Sequence, residues 1–196
     1  MNTFCKTFEI DIMRRFKHII FIGCILTGFL SACKSRKHLN ATQPPSNTEQ
    51  NSSVSNSQQL KKKYAPLLVV DENKIENVAL YSLIDSWYAT PYKYGGCNKD
   101  GVDCSNFASV IYREIYQKQL TGSSASIFNQ CKVVQKEELQ EGDLLFFKVE
   151  SNTISHIGVY LQNNKFVHAT TKKGVMINDL DEVYYKKYFF KAGRVN

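Results

Sequence analysis

Apolar and polar positions divide the C-terminal two-thirds of the chain into a helical part and a strand part. Between Ile75 and Ala89, the residues Ile75, Val78, Ala79, Ser82, Leu83 and Trp87 fall near one face at helical spacing, which predicts an amphipathic helix. Pro91 stops it, because the residue before a proline is pushed out of the helical region. Tyr92 to Gly101 carries glycines and lysines and reads as a loop. Asp103 is then a good N-cap for a second helix, with Phe107, Val110, Ile111 and Ile115 on its buried face. Thr121-Gly122 ends it, and a polar connection follows. Beyond that the period changes. Asp143–Val149, Ser155–Leu161, Lys165–Thr170, Gly174–Ile177 and Tyr188–Arg194 are short β-branched or aromatic runs separated by Gly, Asn, Asp and Ser turns. Helices first and strands afterwards predict an α+β fold: N-terminal helices packed on an antiparallel sheet of about five strands.

The N-terminal segment follows another pattern. Arg14, Arg15 and Lys17 precede a 12-residue apolar run, Ile19 to Leu30. This is a basic n-region and an h-region too short for a comfortable membrane span. The run ends in Leu30-Ser31-Ala32-Cys33, which resembles the lipobox of bacterial lipoproteins, where the signal is cut before the cysteine and that thiol carries the lipid. The resemblance implies a signal peptide over residues 1–32 and an acylated Cys33. Met13 begins a more typical signal than Met1, because Glu9 and Asp11 sit awkwardly in an n-region. From Asn40 to Gln59, 17 of 20 residues are Ser, Thr, Asn, Gln or Pro. Such a segment cannot bury enough apolar surface to offset its ordering entropy. Residues 33–65 therefore read as the lipidated cysteine and a disordered tether, in which residues 34–63 as a coil would span roughly 30 Å r.m.s.. Residues 66–196 read as the folded domain.

The net charge of +7 suggests a nucleic-acid partner until it is partitioned. Residues 1–32 hold four basic and two acidic side chains and residues 33–75 seven and three, which leaves 14 against 13 for residues 76–196. The basicity belongs to the signal and tether, where Lys34, Arg36, Lys37 and Lys61 to Lys63 could lie against anionic headgroups. No basic stripe interleaved with aromatics marks the domain, so nucleic-acid binding is rejected. Of the six cysteines, Cys97, Cys104 and Cys131 remain in the domain. An exported compartment permits a Cys97–Cys131 bridge that leaves Cys104 free, although nothing in the sequence brings those two together.

Cys104 has several uses open to it: a small buried hydrophobe, a disulfide half, a metal ligand or a nucleophile. If Asp103 is the N-cap, Cys104 is the first helical residue, where unpaired N–H groups and the macrodipole favour negative charge. That placement is expected to lower the thiol pKa and favour the thiolate. A thiolate nucleophile needs a base, and the domain has two histidines, His156 and His168. Both lie on strand-like runs joined by Asn163-Asn164, a plausible hairpin turn. A two-residue loop there opposes His168 to Val159 and leaves His156 on the other parity. Contact between the rings needs a three-residue loop or a bulge, for which Gly158 is the candidate. Zinc is disfavoured, since the C-x6-C and H-x11-H spacings match no close-spaced ligand pairs.

Five further stretches carry a resemblance. Thr90-Pro91-Tyr92-Lys93-Tyr94-Gly95-Gly96, Val102-Asp103-Cys104-Ser105, Leu139 to Phe147, His156-Ile157-Gly158-Val159-Tyr160 and Lys165-Phe166-Val167-His168-Ala169 occur in one order. From about Leu83 to Arg194 the chain resembles the NlpC-type family of bacterial cell-wall endopeptidases, which have a papain-like cysteine peptidase fold. The resemblance implies Cys104 as nucleophile, His156 as general base and then acid, and His168 as the residue that orients His156. It places Tyr92 near the oxyanion, with an aromatic packing role as the alternative. Asp103 and Ser105 fall where related enzymes contact substrate, although capping alone explains Asp103. The implied reaction is hydrolysis of peptidoglycan stem peptides, at the γ-D-glutamyl–diaminopimelate bond, by a monomer that needs no cofactor and no metal. Another murein amidase, a thiol acyltransferase or a non-catalytic envelope-binding lipoprotein are the alternatives. The family usually has glycine after the Cys-Ser pair and this chain has Asn106, which puts the exact substrate in doubt. Lys34 in place of an aspartate after Cys33 favours an anchor in the outer membrane, facing the periplasm, over the inner membrane.

Overall fold

The computed structural model of the protein describes residues 47–196, with side chains from residue 54 onward. The expected signal peptide, Cys33 and residues 33–46 of the expected tether lie outside the described residues. The first described element corrects the tether's far boundary. Helix α1 runs Asn47–Leu68, and Leu60, Tyr64, Ala65 and Leu68 are buried on its inner face. The polar composition up to Gln59 hid this stripe, because its first apolar member is the very next residue. Tyr64 packs its ring 5.2 Å from that of Tyr81 and donates to Asp85 at 3.0 Å. Such contacts offset the poor helix propensity of the Ser- and Asn-rich turns before them.

Helix α2 (Val78–Trp87) is capped by Asn77, whose side chain accepts from the Leu80 amide at 3.1 Å. It starts later than the pattern predicted, since Ile75 is buried from a turn ahead of it. Its inner face also differs: Leu80, Tyr81, Ile84 and Trp87 are buried. Two helical stripes coexist in this segment, and the one with the larger side chains faces the core, where it removes more apolar area from water. After a two-stranded ribbon of β1 (Cys97–Asn98) and β2 (Gly101–Val102), helix α3 spans Cys104–Tyr116 behind its cap Asp103. The predicted polar connection holds a short helix α4 (Ser124–Phe128) and strand β3 (Lys132–Val134).

The remaining strands are β4 (Leu144–Phe147), β5 (His156–Tyr160), β6 (Lys165–Thr170), β7 (Gly174–Asp179) and β8 (Phe189–Arg194), with helix α5 (Val183–Tyr188) before the last. They form a six-stranded sheet in the order β3-β8-β4-β5-β6-β7, antiparallel at every pairing. The added strand relative to expectation is β3. Alternation gives the sheet two faces. Phe146, Ile157, Val159, Val167, Ala169 and Val175 join the helices in the main core. Leu145, Phe147, Tyr160, Phe166 and Ala192 form a second cluster, against which Tyr185 and Tyr188 of α5 pack.

Candidate active site

Cys104 is the first residue of α3, and the local sequence builds that position tightly. The Asp103 carboxylate accepts from the Asn106 amide at 2.7 Å and the Ser105 hydroxyl at 2.9 Å through Oδ1. Its Oδ2 accepts from the Gly95 amide at 2.9 Å and from Asn106 Nδ2 at 3.2 Å. Asp103 thus caps the helix and ties it to the Tyr92–Gly101 loop, so its carboxylate is occupied by the fold. Ser105 is committed to the same carboxylate. Asn106 also donates through Nδ2 to the Gly96 carbonyl at 2.9 Å. Its side chain binds the loop that leads into the site.

Cys104 is 7% exposed, and its sulfur lies 3.8 Å from the Ser124 hydroxyl. It also receives the backbone N–H of Ile157, the residue after His156. Sheet register explains that contact. Strands β5 and β6 pair at Val159↔Val167 and Tyr160↔Phe166 and no further toward His156, so the fork leaves a backbone amide for the sulfur. Burial pushes the Cys104 thiol up, outweighing the hydrogen bonds from Ser124, Ile157 and Ser105 that pull it down. The lowered thiol pKa expected from the helix terminus is therefore corrected: desolvation of the thiolate outweighs the hydrogen bonds that favour it. Among the described residues no hydrogen bond joins the sulfur to the His156 ring.

The two histidines meet. Leu161 N–H donates to the Lys165 carbonyl at 2.8 Å, which encloses a three-residue loop, Gln162 to Asn164. Asn163 and Asn164 take the positive φ angles it needs, 48° and 61°. The extra residue brings His168 to the parity of His156, and both rings lie on the α5 side of the sheet. Gly158 lies between them on that face: a Cβ there would stand 2.6 Å from the Phe166 ring. His156 Nε2 is 2.6 Å from His168 Nδ1. On its other side, His168 Nε2 is 2.9 Å from Asn178 Oδ1 and 3.3 Å from the Tyr185 hydroxyl. His168 is fully buried, and burial holds it down at about 4, against weaker raising contributions from Asn178 and Glu182. His156 is lowered well below its ordinary value, first by burial and then by His168. Both rings are neutral at pH 7.

A cleft of about 580 Å³ opens over the histidines, lined among others by Tyr92, Ser155, Lys172, Lys173 and Tyr184. Cys104 is not in its lining. Burial, and after it the neighbouring Cys104 and Asp103, push the Tyr92 hydroxyl up. Cys131 carries a free thiol, pushed up to about 11 by burial, so the Cys97–Cys131 bridge is not formed. Among the described residues no group of three or more His, Cys, Asp or Glu side chains could hold a metal. Sequence reasoning missed Ser124, Asn178, Glu182 and Tyr185. The first sits in a segment read as a polar connection, and the other three lie near or beyond the predicted end of a strand, with no motif to mark them.

The sequence profile of the NlpC/P60 family matches residues 89–194. "Probable endopeptidase NlpC" of Escherichia coli is 47% identical over 116 residues, which cover 57% of this chain and 73% of that protein. "Murein DD-endopeptidase MepS/Murein LD-carboxypeptidase" of the same species is 38% identical over 128 residues, covering 63% and 68%. Among solved structures, an NlpC/P60 family protein from Bacillus cereus superposes with a TM-score of 0.54 at 26% identity, over 59% of this chain and 38% of that one.

Proposed function

The chain belongs to the NlpC/P60 family, and on that premise we propose that it is a cysteine endopeptidase acting on peptidoglycan stem peptides. Cys104 is the nucleophile, His156 the general base and His168 the residue that orients it. The observation that carries this reading is the 2.6 Å contact between His156 and His168, one residue from the amide that meets the Cys104 sulfur. Thiol and imidazole rest neutral. As the sulfur attacks the amide carbonyl, its proton passes to His156, and the imidazolium gains a partner in His168. The tetrahedral oxyanion forms beside the α3 N-terminus, where backbone N–H groups and the Tyr92 hydroxyl can meet it. His156 then protonates the leaving amine, and water hydrolyses the acyl-enzyme.

The bond assigned is γ-D-glutamyl to diaminopimelate. A second bond, the DD cross-link, is favoured by the name of the 38% identical relative. Digestion of purified peptidoglycan followed by mass spectrometry of the muropeptides separates the two. Wild-type protein should release new fragments and Cys104→Ala none; identical profiles from both would overturn the assignment. Lipidation at Cys33 and an outer-membrane anchor complete the proposal. Both place the enzyme beside an immobile polymer.

A further inference from the structure

The histidine pair does not end at His168. Asn178 is the last residue but one of β7 and Glu182 precedes α5, and together they extend the chain of hydrogen bonds out to the surface. We propose that Glu182 and Asn178 are positioning residues that fix which nitrogen of each histidine carries its proton. This rests on the assignment of His156 as the general base.

An ionised carboxylate only accepts hydrogen bonds. Asn178 Nδ2 lies 2.9 Å and 3.2 Å from the two Glu182 oxygens, so the amide end of Asn178 faces Glu182. Its oxygen therefore faces His168. That oxygen takes a hydrogen bond from the Tyr185 hydroxyl at 3.3 Å and stands 2.9 Å from His168 Nε2. Being an acceptor, it requires the proton of His168 on Nε2. The neutral ring then has a bare Nδ1, and that nitrogen is 2.6 Å from His156 Nε2. The contact is a hydrogen bond only if His156 carries its proton on Nε2. His156 Nδ1 is left bare, and that is the nitrogen able to receive the thiol proton. Four side chains thus hand one polarity along the line, set by the single group that cannot donate. The backbone holds Glu182 in place: the Asp179 N–H donates to its Oε1 at 2.9 Å, the same oxygen that accepts from Asn178.

Histidine tautomers are read directly by long-range ¹H–¹⁵N correlation spectra of ¹⁵N-labelled protein at pH 7. Wild-type protein should show the Nε2–H tautomer at both His156 and His168; an Nδ1–H tautomer at His168 overturns the proposal. In Glu182→Leu, Asn178 is free to turn over and His168 should become a mixture of tautomers. The kcat for peptidoglycan fragments should fall about 10- to 100-fold, the range by which outer hydrogen-bond partners of metal-binding histidines matter, with KM unchanged. In Glu182→Gln the side-chain oxygen is still pinned by the Asp179 amide, so tautomer and kcat should be restored. Full activity and a single Nε2–H tautomer in Glu182→Leu would overturn the role of Glu182. A wild-type protein with these tautomers but no peptidoglycan cleavage supports the proton polarity and overturns the catalytic assignment instead.

Discussion

His168 shows at the scale of one residue how a site is assembled against its own solvation. The ring is buried and kept neutral, with a pKa of about 4 against 6.5 in the unfolded chain. Between those two values the unfolded chain binds a proton that the folded chain refuses, so stability is lost as pH falls from 6.5 to about 4. For His168 alone the loss reaches about 3 kcal/mol, and His156, lowered by the same burial, adds to it in the same direction. Denaturant unfolding at pH 7 and pH 4 should show this drop, and His168→Gln should flatten it. Cys104 obeys the same physics with the opposite sign. Its thiol is pushed up because the thiolate is the form that burial penalises.

Elements decide where these residues meet. The three-residue loop after β5 sets the register, and the fork between β5 and β6 admits the sulfur. Gly158 keeps the histidine face of that fork clear. In Gly158→Ala the new methyl would collide with the Phe166 ring and lie 3.2 Å from the Val167 carbonyl. The expected cost is about 1–3 kcal/mol of stability from overpacking, and the displaced Phe166 ring should break the hydrogen bond between His156 and His168. A lowered midpoint in thermal melts, together with a fall in kcat larger than any change in KM, would show it. The Asp103 cap is the complementary case. Its identity and position followed from the sequence, because an N-cap is a local device, whereas the loop it holds through Gly95 is several residues away.

At the scale of the whole molecule, the domain begins earlier than composition suggested. One compact unit spans Ser55–Asn196, and α1 supplies Leu60, Tyr64, Ala65 and Leu68 to its core. Removing a large buried side chain costs about 3–5 kcal/mol, and small domains hold only about 5–15 kcal/mol in total. A protein starting at Ser55 should therefore melt with the cooperativity of the full chain. One starting at Leu67 should not, as followed by circular dichroism. Equal melting of the two would show that α1 is an ornament of the fold.

The sequence by itself determined what depends on neighbours in the chain: the cap at Asp103, the helix behind it, the strand runs, and Cys104, His156 and His168 as the candidate chemistry. Family membership was legible for the same reason, since ordered short motifs survive without any knowledge of contacts. Only the tertiary structure decided what depends on distant partners. The stripe of α2 that faces the core is settled by the helices it packs on, through the ring contacts Tyr64–Tyr81 and Trp87–Phe107. The histidine contact is settled by one extra loop residue. The resting charge of Cys104 is settled by burial that no local pattern encodes. Asn106, in place of the family's usual glycine, shows the division most plainly: the sequence could flag the change, and only the fold showed its amide turned to the Gly96 carbonyl and the Asp103 carboxylate.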